Sequence, residues 1–562
     1  MGGRFRVGCA LAALGMAGAL AAQPATTYDV VIKGGTIYDG SGGAPYVGDV
    51  AIEGDRIVAV GGSAKGEHEI DAKGLAVAPG FINMLSWATE SLIEDGTAQA
   101  DIRQGVTLEV MGEGWSMGPL SPEMKALAPQ RQGDIKYKVE WTTLGDYLDF
   151  LTKKGISPNV ASFVGATTVR VHELGERDVD PTPAQLDRMR ALVRQAMNEG
   201  AMGVGSSLIY APAFYAETPE LIALMQEAGK CGGMYISHMR NEGDHIQKAI
   251  DELITIARES KAPAEIYHLK LAGQNNWGKL DAVIAQVEKA RSEGIRVTAD
   301  MYTYTAGATG LDASMPLWVQ DGGLEKWIER LKDPATRAKV HVEMRQPGQD
   351  WENLMLQAGS PEKVILIAFK NPALKKYTGK TLAEVAKERG TSPEDTAIDL
   401  VIEDGSRVGT AYFLMDEANV RRQVGLPWMS FGSDEEAPAT TGVFTQYNNH
   451  PRAFGNFARV LGKYVREDKA ATLPDAIRRL SAFPAENLGI KDRGSLKKGH
   501  FADVVVFDPA TIADHSTFQD TRRYSTGMRD VFVNGVQVLK GGEHTGAKPG
   551  RVVRGPGAGR CG

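Results

Sequence analysis

Two histidines follow short apolar runs that a helical segment separates. Residues 234–237 (MYIS) lead to His238, and residues 264–267 (AEIY) lead to His268. Between them, residues 243–260 place apolar side chains at the spacing of an amphipathic helix. The pattern predicts two parallel strands joined by a helix, with one histidine at the carboxyl end of each strand.

This arrangement brings the two imidazoles close enough to bind one ion. Neighbouring strands lie about 4.8 Å apart, and the catalytic groups of a (β/α)8 barrel lie at the carboxyl ends of its strands. Neutral imidazoles are ligands for zinc and related ions, and Lys270 adds a cation two residues after His268. We therefore predict a metal site on His238 and His268. Two structural histidines are the alternative.

The elements that position this site follow the same alternation along the chain. Helices are predicted over residues 183–199, 217–230 and 278–293, each beside an apolar run. This alternation predicts an α/β fold with a (β/α)8 barrel. The two ends of the chain differ, because residues 28–60 and 500–539 alternate apolar strands with glycine turns. Their simplest packing is one small β-sandwich at the flank of the barrel.

Composition limits the classes of function. The chain has 562 residues, 43% of them hydrophobic and 24% charged, which is typical of a soluble globular protein. A net charge of −7 and a pI near 5.9 exclude the basic footprint of a nucleic-acid-binding protein. Three cysteines are too few for a disulfide framework, so Cys231 is predicted to be a buried, small apolar residue.

Several motifs share a resemblance to one family. They are SHMRNEGDHI with YHLK, VAPGFIN, DMYTYTA, SFGSD and HPRAFGNFARVLGKYVRE. Together they resemble the N-acyl-D-amino-acid deacylases (D-aminoacylases) of the amidohydrolase superfamily over nearly the whole mature chain. The resemblance implies a TIM-like barrel and metal-dependent hydrolysis of an N-acyl amide beside a D-configured carboxylate. It also implies a small-molecule substrate. A homo-oligomer stays an open alternative.

The predicted organisation rests on these patterns and on the resemblance. A charge-rich segment from about residue 312 to 415 breaks the strand–helix alternation, and the resemblance implies that this segment is an inserted lid. A plain loop-helix excursion is the alternative. The segments are a signal peptide (1–23), the first part of the β-sandwich (24–80), the first part of the barrel (81–311), the lid (312–415), the second part of the barrel (416–488), the second part of the β-sandwich (489–545) and a flexible tail (546–562).

The chain departs from the family where a His-x-His pair should follow PGFID. Leu85 and Trp87 stand at those two positions, and neither can ligate a metal. The resemblance implies that this pair would supply the main ligands of a second ion. We therefore predict a single divalent ion, with zinc as the expected metal.

The resemblance also implies a cysteine ligand shortly after a GVTT motif. Here the matching residues 105–108 read GVTL, and the cysteine after them is missing. Glu113 is the nearest side chain that can replace a thiolate, and two histidines with one glutamate form an accepted catalytic zinc site. Glu113 is therefore the predicted third ligand. The alternatives are Glu109, which falls within the preceding strand, and a supporting or surface role for Glu113.

Further roles follow from the resemblance. Asp434, at the end of the run WMSFGSD, matches the general base that takes a proton from metal-activated water; a helix N-cap is the alternative. Lys270, Tyr302 and Tyr304 match positions that bind the substrate carboxylate. The two tyrosines are predicted to alternate on one strand and to point the same way.

These features favour an exported amidohydrolase with Asp434 as general base. Its substrates would be N-acyl amino acids, D-configured ones among them, or related peptide-like amides. A dipeptidase or a cyclic amide hydrolase of the same superfamily is one alternative. A degenerate barrel that binds a ligand without turnover is the other, and the missing His-x-His pair and cysteine favour it.

The N-terminus predicts export to the periplasm or medium, with no membrane attachment after cleavage. Arg4 and Arg6 precede an apolar run over residues 7–22, and Ala19-Leu20-Ala21 forms a small-x-small cleavage pattern. Intact-mass measurement of the exported protein should give a chain that begins near residues 22–24. A full-length product in the cytosol would contradict the prediction.

Overall fold

The computed structural model describes residues 1–3, 27–349 and 351–561. The predicted leader falls almost wholly on residues 4–26, outside the described residues. Within the described ranges, no helix is both long and apolar enough to cross a bilayer.

Strands and helices alternate along most of the chain. The strands are β1 Thr27–Ile37, β2 Tyr46–Glu53, β3 Arg56–Val60, β4 Lys65–Asp71, β5 Ala76–Pro79, β6 Phe81–Asn83, β7 Val106–Met111, β8 Asn159–Ser162, β9 Val164–Gly165, β10 Gly203–Ser207, β11 Met234–His238, β12 Ala264–Ile266, β13 Val297–Met301, β14 Ala306–Gly310, β15 Val364–Ala368, β16 Gly409–Phe413, β17 Met429–Phe431, β18 Val504–Phe507, β19 Met528–Val533, β20 Val536–Lys540 and β21 Glu543–His544. The α-helices are α1 Ser91–Glu94, α2 Gln99–Ile102, α3 Pro122–Arg131, α4 Leu144–Lys154, α5 Ala166–Leu174, α6 Pro183–Glu199, α7 Thr218–Lys230, α8 Ile246–Ser260, α9 Leu280–Ser292, α10 Leu324–Leu331, α11 Pro334–Glu343, α12 Leu354–Ala358, α13 Leu382–Arg389, α14 Pro393–Asp404, α15 Glu417–Val424, α16 Arg452–Arg459, α17 Leu473–Leu480 and α18 Ala482–Asn487. Short 3-10 helices span Ala213–Tyr215, Gln274–Lys279, Leu311–Ser314, Leu317–Gln320, Pro361–Lys363, Pro372–Tyr377 and Gly442–Thr445, and a π-helix spans Val460–Glu467.

A closed parallel barrel forms the centre of the fold, as the strand–helix alternation predicts. Its strands run in the order β6, β7, β8–β9, β10, β11, β12, β13 and β17. The barrel closes where the amide of Met84 donates to the carbonyl of Phe431 and the amide of Asp434 donates to the carbonyl of Leu85. Its strands are buried on both faces, as expected of a parallel sheet covered by helices.

The helices around the barrel have clear sequence signals. In α8, every fully buried position lies on one stripe, which packs between α7 and α9. In α6, the Thr182 side chain accepts from the amide of Gln185, whose own side chain accepts from the amide of Thr182. Gly200 ends α6 in the left-handed conformation.

Both ends of the chain join one β-structure beside the barrel. Its strands lie in the order β21, β20, β19, β18, β5, β1, β2, β3, and β4 pairs with β1. The junction between the two ends is the antiparallel pair β5–β18, in which Ala78 lies opposite Val505. Alternate side chains of these strands form a separate apolar cluster that includes Ile32, Val50 and Val504.

The insertion has its own small sheet and helices. Strands β15 and β16 of the insertion form an antiparallel sheet with β14, which lies just before the predicted start of the insertion at residue 312. This sheet is packed with helices α10 to α14 above the carboxyl ends of the barrel strands, and the side chains of Leu324, Trp327 and Leu354 line the central cavity. The insertion therefore forms part of the wall of the site.

The prediction of a flexible tail was wrong for residues 546–561. The amide of Val553 donates to the carbonyl of Val160, so the tail runs along the amino-terminal end of the barrel sheet. Cys561 forms a disulfide with Cys231, which corrects the prediction that Cys231 serves only as a buried, small apolar residue. Cys9 lies in the predicted leader, so Cys231 and Cys561 are the two cysteines of the predicted exported chain, but they lie 330 residues apart and no local spacing indicates that they pair.

The disulfide should contribute measurably to stability. Closing so long a loop restricts the unfolded chain, and such a bond typically contributes about 2–4 kcal/mol. The double variant Cys231→Ser, Cys561→Ser should therefore unfold at a lower temperature than the unmodified protein in calorimetry. The reductant tris(2-carboxyethyl)phosphine, which lacks zinc-binding thiols, should lower the transition of the unmodified protein to that of the variant and leave the variant unchanged. A reductant-insensitive transition in both proteins would contradict the disulfide.

Candidate active site

A glycine-flanked turn after β7 carries Glu113 into the barrel mouth. Gly112 has φ 106°, and a Cβ at this position would lie 2.3 Å from the carbonyl oxygen of Phe163. Gly114 has φ 68° and packs against Ser207. Only glycine allows both the conformation and the close packing, so the Gly-Glu-Gly sequence directs the Glu113 side chain over the neighbouring strands.

The two histidines come from adjacent strands, as predicted. His238 is the last residue of β11, and His268 follows β12 by two residues. His268 has φ 33°, a costly conformation for a residue other than glycine. The backbone amide of His268 donates a hydrogen bond to Asp300 Oδ1 at 2.8 Å, which holds the residue in this conformation. The two imidazole rings lie edge to face, with centroids 4.4 Å apart.

Glu113, His238 and His268 meet at one point. Glu113 Oε1 lies 2.9 Å from His238 Nδ1 and 3.0 Å from His268 Nε2. One ligand atom from each residue lies within 4.8 Å of the other two, and all three side chains are buried. This donor set has the charge and ligand types of a catalytic zinc site. The residues therefore fit a divalent ion.

A second layer of charge lies behind the histidines. Glu242 Oε1 accepts from Lys270 Nζ at 2.6 Å and lies 3.1 Å from His268 Nδ1. Its other oxygen lies 3.5 Å from His238 Nε2. The hydrogen-bond partner of His268 Nδ1 is Lys270 Nζ at 2.7 Å, and a polar partner at the outer nitrogen of a ligating histidine fixes the orientation of the ring. Lys270 balances the charge of Glu242 in this buried cluster.

The pKa shifts of the cluster follow from these contacts. Burial alone would raise the pKa of Glu113, but hydrogen bonds from His238 and His268 lower it well below its usual value. Burial and Lys270 act to lower the pKa of His268, yet Glu242 and Asp434 raise it to about 10. A ligating imidazole must be neutral. A cation at this point therefore displaces the His268 proton.

Asp434 lies beside this cluster, three residues after the end of β17. It has φ 51°, and its amide is held by the carbonyl of Leu85 at 2.8 Å. One carboxylate oxygen, Oδ2, forms an ion pair with Arg452 Nη1 at 2.9 Å. Burial raises the pKa of Asp434, and the Arg452 charge opposes that shift.

The two departures from the family pattern occupy different environments. Leu85 is fully buried in the barrel core. Trp87 turns its indole into the site, where Nε1 donates to Glu113 Oε2 at 2.8 Å and to Asp434 Oδ1 at 3.2 Å. The indole N–H therefore lies between the predicted third ligand and the predicted base.

The two predicted tyrosines do not share one direction. Strand β13 ends at Met301, so Tyr302 and Tyr304 lie in the following turn and not on a strand. Tyr302 lines the cavity, its hydroxyl has no hydrogen-bond partner among the described residues, and Arg452 Cζ lies 4.3 Å from its ring centroid. Tyr304 points away, and its hydroxyl donates to Asp514 Oδ2 at 3.3 Å.

The site opens into a cavity of about 650 Å³. Its inner end is lined by the three clustered residues and by Trp87, Asp434 and Arg452. Its outer end is lined by the insertion. Tyr210 also lines the cavity, and its ring packs edge-on against that of His238, with centroids 5.2 Å apart. A cavity of this size accommodates a small molecule and buries most of its surface.

Sequence reasoning missed the contacts of three side chains in this site. Glu242 belongs to a polar run after His238, and its spacing of four residues from that histidine was a usable signal. For Arg452, in the HPRAFGNFARVLGKYVRE motif, the sequence predicts a role in shaping the pocket or in a structural ion pair. Arg452 does line the cavity and form an ion pair, but its partner, the predicted base Asp434, was not foreseen. No sequence signal indicates the two hydrogen bonds of Trp87. Conversely, Glu109 is buried beside Asn83 and makes no contact with either histidine.

The chain is similar to known proteins along most of its length. The Amidohydrolase family profile matches residues 68–539. D-aminoacylase of Alcaligenes xylosoxydans xylosoxydans is 32% identical over 529 residues, which covers 94% of this chain and 97% of the relative. The chain therefore belongs to the amidohydrolase family, and it is an enzyme of the class that hydrolyses amide bonds.

Solved structures show the same similarity. N-acyl-D-glutamate deacylase of Bordetella bronchiseptica, complexed with zinc and a phosphonate mimic of the tetrahedral intermediate, superposes with a TM-score of 0.77 at 30% identity, covering 94% of this chain and 100% of the relative. A D-aminoacylase with a binuclear metal centre, in which one metal activates and the second attenuates, superposes with a TM-score of 0.76 at 30% identity, covering 94% of this chain and 100% of that one. These similarities agree with the predicted barrel and family.

The geometry gives a direct test of the third ligand. Glu113→Gln keeps the size of the side chain but removes the anion that faces both histidines. The change should weaken zinc binding by at least the roughly 10–100-fold that loss of a supporting group costs. Glu109→Gln is the matched control and should bind zinc as the unmodified protein does. Competition with a chromogenic chelator measures both affinities. If Glu109→Gln weakens zinc binding and Glu113→Gln does not, the third ligand is Glu109.

Proposed function

We propose that this enzyme hydrolyses the amide bond of N-acyl-D-amino acids. The observation that carries the proposal is the contact of Glu113 with His238 and His268, with Asp434 in the same cavity. The relatives named D-aminoacylase and N-acyl-D-glutamate deacylase support the substrate class.

The residues of the chain can perform the proton transfers of this reaction. A divalent ion held by Glu113, His238 and His268 supplies Lewis acidity, which lowers the pKa of water and polarises the amide carbonyl. Asp434 accepts a proton as the water oxygen bonds to the carbonyl carbon. The carbon–nitrogen bond then breaks, and Asp434 returns the proton to the leaving amine. The products are a carboxylic acid and a free amino acid.

Other cavity residues suit the amino-acid carboxylate. Tyr302 is among the residues that line the cavity, and its buried hydroxyl has no hydrogen-bond partner among the described residues, which supports a role as donor to a substrate oxygen. Arg452 lies over the same ring and supplies positive charge. Lys270 is engaged by Glu242 and acts through the field of the cluster. Tyr304, turned towards Asp514, is not part of this proposed contact set.

The proposal includes one zinc ion per chain. Glu113 and two histidines supply three protein ligands, which leaves an open position for chemistry. The positions at which a second ion would need histidines hold a buried leucine and an indole N–H donor. The zinc complex of the relative supports the choice of metal.

The proposal also places the enzyme outside the cytosol. The apolar leader with its two arginines favours export. The disulfide between Cys231 and Cys561 supports the same location, because such bonds persist in oxidising compartments.

Two variants separate the roles in this reaction. His268→Ala should lose zinc and activity together, because it removes a ligand. Asp434→Asn should keep zinc and lose about 10²–10⁴-fold in kcat, the usual contribution of a general base. Zinc content and turnover of N-acetyl-D-amino acids, their L-enantiomers, dipeptides and hydantoins are the measurements. If the unmodified enzyme hydrolyses dipeptides or cyclic amides but no N-acyl-D-amino acid, the substrate proposal fails. Activity in both variants would overturn the mechanism.

A further inference from the structure

One indole N–H contacts two carboxylates at the inner end of the cavity. Trp87 Nε1 lies 2.8 Å from Glu113 Oε2 and 3.2 Å from Asp434 Oδ1. The backbone around Trp87 is fixed, because its amide donates to the carbonyl of Glu435 at 2.9 Å. The indole therefore approaches both carboxylates from a well-defined position.

Each carboxylate divides its oxygens between two partners. Glu113 directs Oε1 to the two histidines and Oε2 to Trp87. Asp434 directs Oδ1 to Trp87 and Oδ2 to Arg452. The contacts form a continuous line from the histidines through Trp87 to Arg452. Trp87 is the only link in that line between the proposed ligand and the proposed base among the described residues.

We propose that Trp87 is a positioning residue whose indole N–H links the proposed metal ligand, Glu113, to the proposed general base, Asp434. Two buried carboxylates repel one another, and a donor shared between them offsets that repulsion. With Oε2 held by Trp87, Glu113 offers a single oxygen, Oε1, to the ion. With Oδ1 held by the same proton, Asp434 stays beside the reacting water. The inference rests on the proposed function for its catalytic part only.

This role differs from simple space filling by the ring. A packing role requires only the aromatic surface, which phenylalanine keeps in part. The positioning role requires the N–H, which phenylalanine lacks. Trp87→Phe is therefore the informative change. Trp318→Phe is its matched control, because Trp318 Nε1 also donates to a carboxylate, Glu343 Oε2 at 2.7 Å, but at the protein surface and away from the cavity.

The first measurement uses the visible spectrum of the cobalt-loaded protein. Loss of the N–H frees Glu113 Oε2, so the ion can gain a further oxygen ligand and the cobalt absorption should weaken. In the same variant, kcat should fall about 10–100-fold, as for other groups that support a ligand, with cobalt still bound. Trp318→Phe should match the unmodified protein in both. An unchanged spectrum in Trp87→Phe would overturn the inference.

A second measurement needs no change at Trp87. One N–H contacts both carboxylates, so a single indole resonance of the ¹⁵N-labelled protein should shift in Asp434→Asn and again in Glu113→Gln. Glu109→Gln should leave that resonance in place. Shifts of two different indole resonances, or of none, would refute the shared contact even if Trp87→Phe does not fold. Inactivity of the unmodified enzyme towards N-acyl-D-amino acids would refute the proposed function while leaving both spectroscopic results valid.

Discussion

The structure of the site depends on how one buried carboxylate is paired. Glu113 is 4% exposed, and an isolated charge in that position would be very costly. Two imidazoles and an indole N–H surround it, one oxygen facing the histidines and the other facing Trp87. Removing one partner of such a group destabilises strongly, because the charge remains buried. The histidines, the glutamate and the indole therefore act as one unit.

The barrel supplies the precision that this unit needs. His238 ends strand β11 and His268 follows the adjacent parallel strand β12, while Asp434 follows the strand that closes the barrel against Leu85. Both His268 and Asp434 have positive φ. The backbone amide of His268 donates to the Asp300 carboxylate, and that of Asp434 donates to the carbonyl of Leu85. Strain of this kind persists only where the surrounding structure fixes it. Buried strands provide that support, and the insertion forms part of the cavity wall.

Much of this arrangement could be predicted from the sequence, and the failures have physical reasons. Periodicity indicated the strand–helix–strand unit around His238. The resemblance to the deacylases, which implies a cysteine ligand after β7, indicated Glu113 as the nearest side chain that could replace the missing thiolate. The predicted direction of the Tyr304 side chain was wrong, because strand β13 ends at Met301 and the side chain in the following turn points towards Asp514. The pairing of Cys231 with Cys561 and the contacts of Trp87 arise from tertiary packing, which no local pattern encodes. The family resemblance covered the barrel and the insertion and carried no information about the indole.

The central claim is that one ion is held by Glu113, His238 and His268 while Trp87 takes the place of a second metal site. Crystals of the zinc-loaded protein, with X-ray data collected on both sides of the zinc absorption edge, test it most directly. We predict a single strong anomalous peak per chain, within bonding distance of Glu113 Oε1 and both imidazoles, with the Trp87 indole still between Glu113 and Asp434. A second peak beside Asp434, or a zinc ion that does not contact Glu113, would contradict the account.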